Sequence, residues 1–416
     1  MAEKPQAPRG TYDVLPEQDA ARAAVERAAR DILGGSGYRR IETPIFEHTE
    51  LFARGVGAST DIVQKEMYTF TDAGDRSLTL RPEGTAPVMR AYAEHGMHKL
   101  PQPVKLWYVG PFFRQEKPQA GRFRQFWQVG AEAIGSDDPA VDAETILLLQ
   151  TLIYELGIDS VTLRLGSLGT PATRAEYRDK LIAHLRAHES ELSEDVRARI
   201  DLNPLRAFDA DHPGTRKVME SAPLLLDHLT AADAEHFAEV RARLDAAGVE
   251  YVIDPTLVRG LDYYTRTLFE FTSDALGAQS GVGGGGRYDG LAQALGLNPT
   301  PGIGWAAGVE RLLLAGDHTP RAGGAGSVCD LYVAGTSVAA FSLAAEARRA
   351  GLNVQLELAG RSRKGQLKQA DRSGARHVAI FSEDEGTILK DLESGEQEEL
   401  AADAIVARVL RGRHIG

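Results

Sequence analysis

The chain has 416 residues, 43% of them hydrophobic and 25% charged, with a formal net charge of -12 and a single cysteine, Cys329. That length suggests two or three domains with a sizeable core, and one cysteine excludes an intramolecular disulfide or a multi-cysteine zinc site while fitting a reducing cytoplasm. The sequence has no apolar run near the ~20 residues that span a bilayer and no apolar core in its opening MAEKPQAPRG, and its acidic balance argues against an all-over basic coat for nucleic acid while leaving room for a local basic patch.

Residues 1–17 read as an irregular arm, punctuated by Pro5, Pro8 and Pro16. From Glu17 to Leu33 apolar residues recur at helical spacing until Gly34-Gly35 ends the pattern. Tyr38 to Ile45 reads as extended chain, interrupted by Pro44. Two long segments follow, Val104–Arg114 and Phe123–Ile134, both rich in aromatic and β-branched residues. The loop between them holds Pro118, Gly121 and basic residues, which is the pattern of a long antiparallel hairpin. Residues 139–156 predict a buried helix with Asp138 as N-cap and Gly157 as the stop.

Residues about 171–250 are polar and helical in pattern, and they read as an insertion. Strand-like chain resumes at Tyr251 and runs through 264–273. The run Gly283–Gly286 reads as tight backbone or a flexible loop; it is no P-loop, because no Gly-Lys-Ser/Thr follows. GIGWAAGVERLLLA then predicts a strand turning into a helix. Residues 316–327 are a linker by composition. Beyond it, strands alternating with short helices predict a small α/β domain with a largely parallel sheet.

Four separated segments offer charged groups beside aromatic or glycine-rich backbone: LRPEGTAP (80–87), GPFFRQE (110–116), LVRGLDYYTRT (257–267) and GVERLLL (308–314). Arginine makes planar, bidentate contacts suited to phosphates. Three arginines on such segments suit a triphosphate and the charge that develops when its α-phosphate is attacked. The carboxylates Glu83 and Glu132 suit an amino group and a polar side chain.

At these residues the chain resembles the class II aminoacyl-tRNA synthetases. Pro44 resembles the proline of the first, dimer-forming motif, Phe113-Arg114-Gln115-Glu116 the second, and Gly308-Val309-Glu310-Arg311 the third, in the same order. LVRGLDYY (257–264) and GGGGRYDGL (283–291) are similar to the pair peculiar to the histidyl-tRNA synthetase family, as are TLRPEGT (79–85), RQFWQVGAE (124–132) and KDLESGEQEEL (390–400). Trp305 departs from the phenylalanine more usual there.

The resemblance implies an α+β class II catalytic domain, an antiparallel sheet flanked by helices, over 1–320 with the helical insertion at about 171–250. It implies an α/β anticodon-binding domain over 328–416. It implies histidine activation with ATP and Mg²⁺ and transfer to the 3′ end of tRNA(His), by a cytoplasmic homodimer with no membrane segment. By the same resemblance Arg114 and Arg259 are the catalytic residues, flanking the α-phosphate, with Arg114 also on the histidine carboxylate. Glu116 contacts the adenine side of ATP, and Arg122 and Arg311 hold the outer phosphates. Glu83 and Gln128 bind the α-amino group with Thr85 beside them, Glu132 and Tyr264 take the two imidazole nitrogens, and Tyr263 lines the pocket. No metal-ligating cluster is visible. Two rival classes share the catalytic fold: the regulatory subunit of ATP phosphoribosyltransferase, which generally lacks the C-terminal domain, and stress-sensing pseudo-synthetase domains, which normally sit inside a longer kinase chain. The C-terminal region also carries a basic stretch, Arg361, Arg363, Lys364 and Lys368, suited to a phosphate backbone or to a solvated helix start.

Overall fold

Alanine and leucine at helical spacing draw the chain into α1 (Pro16–Gly35) after an extended arm, and Gly37 at φ +85° turns it toward the first strand. The structure, a computed structural model, describes residues 4–57, 60–277, 280–316, 329–381 and 387–413. After α1 come β1 (Arg39–Arg40), β2 (Phe46–His48), α2 (Thr49–Gly55), β3 (Thr69–Thr71), β4 (Ser77–Leu80) and α3 (Thr85–Glu94). Strands β2, β4 and β3 form a small antiparallel sheet.

The long hairpin is β5 (Val104–Phe113) and β6 (Gln125–Ile134), paired without a break from Val104↔Ile134 to Phe113↔Gln125. Next is α4 (Pro139–Glu155), whose N-cap Asp138 accepts a hydrogen bond from the Ala140 amide at 2.8 Å. Apolar residues all round leave it buried on nearly every side, and Gly157 at φ +74° ends it. Strand β7 (Thr162–Ser167) leads into the insertion, which holds α5 (Pro171–Ala187), α6 (Glu194–Arg199), α7 (Pro213–Met219) and α8 (Ala231–Ala246). The chain returns through β8 (Val252–Ile253), β9 (Thr265–Thr272), β10 (Gly281–Arg287), α9 (Leu291–Ala294), β11 (Gly302–Gly308) and α10 (Val309–Ala315).

The main sheet has the order β1-β5-β6-β11-β10-β9-β7-β8. Its six inner strands are antiparallel, and only the two-residue outer strands β1 and β8 pair parallel. One face packs on α1, α4 and α8. The other carries Tyr108, Tyr263, Tyr264 and Tyr288 and packs against α3 and the insertion. This is the antiparallel sheet flanked by helices, with a helical insertion, that the resemblance implies.

The structure decides between the two readings of the glycine run and interrupts one expected strand. Of tight backbone and flexible loop, the run is tight backbone: it is β10, between β9 and β11 in the middle of the sheet. A Cβ on Gly285 would fall 1.9 Å from the Gly304 carbonyl oxygen, and one on Gly284 2.6 Å from that of Phe269, so the strands approach more closely than side chains permit. The strand-like chain expected from Tyr251 through 273 is interrupted: it forms the two exposed residues of β8 at the sheet edge and then β9.

The C-terminal unit contains β12 (Cys329–Ala334), α11 (Val338–Arg349), β13 (Val354–Leu356), α12 (Arg363–Arg372), β14 (Ala375–Phe381), β15 (Thr387–Asp391), β16 (Gln397–Leu400) and α13 (Ala402–Arg413). Its sheet order is β13-β12-β14-β15-β16; the first three strands are parallel and the last two antiparallel, so the sheet is mixed where a largely parallel one was expected. Apart from Gly316, the linker at 316–327 lies outside the described residues. The unit docks on the back of the main sheet through a buried ionic group, in which Glu144 of α4 accepts from Lys105 at 2.7 Å and from Arg348 of α11 at 2.6 Å. Buried charges persist only when paired in this way. Arg361, expected in a phosphate-binding stretch, instead pairs with the buried Glu357 at 3.0 Å and donates to the Gln102 carbonyl at 3.3 Å.

Candidate active site

On β6, Gln128, Gly130 and Glu132 share one face of the pleat. Tyr108 of β5 lies opposite Gly130, and its ring fills the space that side chains at Gly84 and Gly130 would need, 2.4 Å from either Cβ. Its hydroxyl donates to Glu132 Oε1 at 3.2 Å, Thr85 Oγ1 donates to the same oxygen at 2.9 Å, and the Tyr288 hydroxyl donates to Oε2 at 2.7 Å. A carboxylate offers about four acceptor positions, so one remains for a ligand. Gly304 is required beside it, because a Cβ there would sit 1.7 Å from Glu132 Oε2. Burial pushes the Glu132 carboxyl up to about 8 against these hydrogen bonds, with the charge of Glu83 adding to the rise.

Glu83 stands at the start of α3 and accepts from the Thr85 amide at 2.8 Å and the Ala86 amide at 3.1 Å, so the helix N-terminus stabilises its charge. Burial nevertheless pushes this carboxyl above its ordinary value. The Tyr263 hydroxyl reaches Glu83 Oε2 at 3.4 Å, and the rings of Tyr263 and Tyr264 meet edge to face at 4.8 Å. Gln128 Oε1 is buried and finds no hydrogen-bond partner among the described residues. A buried acceptor in that condition is costly unless a ligand donates to it.

Beside this acidic, tyrosine-lined pocket lies a second group, built of arginines. Arg114 donates from Nε to the Pro82 carbonyl at 2.9 Å, lies over the Phe126 ring at 5.3 Å and approaches Glu116 at 3.6 Å. Glu116 also pairs with Arg122 at 3.3 Å, so one carboxylate ties both ends of the hairpin loop. Arg259 pairs closely with Glu270 of β9. Burial works against the charge on Arg259, but Glu270 and the tyrosines 264 and 263 outweigh it and raise the guanidinium above its usual value. Arg311 donates to the Gly281 carbonyl of β10; burial, then the nearby charge of Arg122, pull its guanidinium below its usual value. Gly284 keeps the floor low beneath Arg259, since a Cβ there would lie 3.4 Å from its Nη1.

The structure therefore brings Glu83, Thr85, Glu132, Tyr263 and Tyr264 into one pocket, with Gln128 on the same face, and sets Arg114, Glu116, Arg122, Arg259 and Arg311 alongside. Tyr288 and Tyr108 hold Glu132, whereas Tyr264 is the tyrosine that the resemblance sets beside it at the imidazole. Tyr288 lies inside the segment GGGGRYDGL, where the resemblance gives it no role, and Tyr108 is legible only as an aromatic residue in a strand. Glu270 carries no sequence signal at all. Among the described residues there is no group of three or more His, Cys, Asp or Glu side chains arranged to hold a metal ion.

A sequence model of the family described as "Histidyl-tRNA synthetase" matches residues 10–312. A protein named Histidine--tRNA ligase from Moorella thermoacetica is 49% identical over 407 residues, covering 96% of each chain. The solved structure of apo histidyl-tRNA synthetase from S. aureus is 36% identical, covers 98% of this chain and 100% of its own, and superimposes with a TM-score of 0.63. A Bacillus halodurans structure described as an ATP phosphoribosyltransferase regulatory subunit/histidyl-tRNA synthetase shares the fold at 23% identity and TM-score 0.56, over 91% of this chain and 100% of its own.

Proposed function

The chain belongs to the histidyl-tRNA synthetase family, and from that premise we infer that it is a histidine–tRNA ligase. It joins histidine to ATP as histidyl-adenylate, releasing pyrophosphate, and then transfers the histidyl group to the 3′ end of tRNA(His). The regulatory-subunit reading is disfavoured by the 49% identity to a ligase over 96% of the chain.

The observation that supports the residue roles most strongly is the buried Glu132 cluster beside the arginine group. Histidine fits there with its α-amino group on Glu83 and the open acceptor of Gln128, and its imidazole between Glu132 and Tyr264, with Thr85 and Tyr263 completing the wall. A site that hydrogen-bonds both ring nitrogens rejects ligands lacking them, because its own buried groups would be left unpaired. The histidine carboxylate attacks the α-phosphorus of ATP, and the bond to the pyrophosphate oxygen breaks. Arg114 and Arg259 flank that phosphorus and stabilise the added negative charge; Arg122 and Arg311 hold the outer phosphates, and Glu116 faces the adenine side. A 3′ ribose hydroxyl of the tRNA then attacks the adenylate carbonyl, and AMP leaves.

Hard oxygen donors Glu116 and Glu270 already lie among these arginines, a set that fits Mg²⁺ carried on the triphosphate with most of its other ligands from phosphate and water. When bound, the ion supplies charge shielding for the departing pyrophosphate.

A homodimer is part of this reading. Ile45, Phe46 and Phe70 stand 45%, 50% and 42% exposed on or beside the small sheet that follows Pro44, an apolar patch suited to a two-fold partner. A monomeric mass by sedimentation at micromolar concentration would remove it. We assign residues 1–320 to catalysis, with the insertion at about 171–250 roofing the site, and 328–416 to the anticodon, with Arg363, Lys364 and Lys368 as phosphate contacts. A cytoplasmic location goes with that task. The deciding experiment is ATP–pyrophosphate exchange with each of the twenty amino acids: histidine alone should support it, and equal exchange with another amino acid, or none with any, defeats the assignment. Truncation after Gly326 should leave exchange measurable while tRNA charging collapses.

A further inference from the structure

The arm ahead of α1 reads as irregular chain in the sequence, yet it makes a dense set of specific contacts at the arginine end of the site. The Gly10 carbonyl accepts from the Arg124 amide at 2.7 Å, at the base of the hairpin loop. The Arg9 carbonyl takes a second bond from Arg124 Nη1 at 3.4 Å, while Nε of the same arginine donates to the Glu116 carbonyl at 3.2 Å. Gly10 has φ +87°, and a Cβ there would lie 2.8 Å from Arg124 and 2.9 Å from Pro118, so only glycine lets the arm lie this close.

Two residues on, the Tyr12 ring packs on Phe123 with centroids 4.6 Å apart, and its hydroxyl donates to Glu310 Oε1 at 2.7 Å. Glu310 also accepts from the Trp127 amide at 3.0 Å and faces Arg22 at 3.6 Å. It immediately precedes Arg311 at the start of α10. The loop tip meets the same helix, because a Cβ on Gly121 would lie 3.2 Å from Leu314 and 3.4 Å from Arg311. The arm thus touches both the loop that carries Glu116 and Arg122 and the helix that carries Arg311.

We propose that Arg9–Tyr12 form a strap that sets the ATP-binding loop in register with α10, with Gly10 and Tyr12 as its positioning residues. The strap touches no substrate; it acts through Arg124 and Glu310. It rests on the assignment of Arg122 and Arg311 to the outer phosphates, and its effect falls on ATP and not on histidine, because its contacts are with Arg124, Phe123 and Glu310 and with none of the residues assigned to histidine binding alone.

The test is steady-state pyrophosphate exchange with the full chain carrying Tyr12→Phe, which keeps the ring on Phe123 and removes one hydrogen bond, and with Gly10→Ala. Losing one such bond corresponds to roughly a fivefold change, so KM for ATP should rise about that much in Tyr12→Phe and further in Gly10→Ala, with KM for histidine within about twofold of the parent. In a Glu310→Ala background, where the acceptor is gone, the Tyr12→Phe effect should shrink toward nothing. An unchanged KM for ATP, or equal rises in both KM values, overturns the strap, as does a lowered melting temperature with unaltered kinetics. Arg122→Ala and Arg311→Ala serve as references: if they raise KM for ATP and the strap variants do not, the strap alone fails. If they leave KM for ATP unchanged, the phosphate assignment fails and the strap falls with it.

Discussion

At the end of the site assigned to histidine, Glu83 and Glu132 are 4% and 0% exposed, and each is satisfied by hydrogen bonds from its own protein. At the end assigned to the triphosphate, the side chains of Arg114, Arg122 and Arg259 are 21%, 42% and 25% exposed and are held by single carboxylates. The first end is buried, with its carboxylates already held by protein hydrogen bonds, as discrimination between similar small ligands requires. The second holds its cations in partly wet pairs that a more highly charged ligand can replace without leaving a buried charge alone. On the proposed roles, selectivity and charge stabilisation are separated in space, and variants should separate them in kinetics.

The largest expected effect comes from breaking the arginine end alone. Arg259→Ala should slow adenylation by ~10²–10³ while histidine affinity changes little, because its charge matters most in the transition state. A near-normal single-turnover rate would return Arg259 to a structural ion pair with Glu270.

Glu132→Gln breaks the other end. KM for histidine should rise by roughly ten- to a hundredfold with KM for ATP unchanged, as one carboxyl oxygen that accepts from the ligand is replaced by an amide NH2 that cannot. The same variant carries a pH signature. The Glu132 carboxyl titrates at about 8 in the folded chain, above its ordinary value of 4.5. Charging it therefore costs more in the folded than in the unfolded state, and the parent loses stability as pH rises from about 4.5 to about 8. The melting temperature of Glu132→Gln relative to the parent should accordingly increase between those pH values; a constant difference would exclude the shift.

Two smaller effects sharpen the contrast. Glu270→Gln loosens Arg259 without removing it, so kcat should fall by about three- to tenfold with histidine binding retained, and in an Arg259→Ala background the substitution should add nothing. Tyr263→Phe removes a long, 3.4 Å hydrogen bond to Glu83, so KM for histidine should rise less than about fivefold; a larger rise would mean that the hydroxyl meets the substrate directly.

Much of the site is legible in the sequence. Glu83, Arg114, Glu116, Arg259 and Arg311 sit on distinctive local segments, and the hairpin that carries two of them, Arg114 and Glu116, follows from segments rich in aromatic and β-branched residues. Tyr108, Tyr288 and Tyr12 are not legible in this way, since each works by contact with a residue 24 or more positions away in the chain, and Glu270, 11 positions from Arg259, sits on a strand whose pattern gives it no role. Tyr12 and Glu310 are separated by 298 positions and touch at 2.7 Å.

The sequence by itself determined the elements whose signals are local: α1 and α4 through apolar spacing and caps, the β5–β6 hairpin through its residue pattern, and the alternating elements of the C-terminal unit. Only the tertiary structure decided that Gly281–Arg287 is an inner strand, because glycine has no strand preference of its own and acquires one where β9 and β11 leave no room for a side chain. It likewise decided that Arg361 holds Glu357 and the Gln102 carbonyl of the catalytic unit instead of facing solvent with Arg363 and Lys364. Spacing along a chain encodes the period of a helix or strand, whereas the partner of a buried charge or the clearance above a backbone depends on what folds against it.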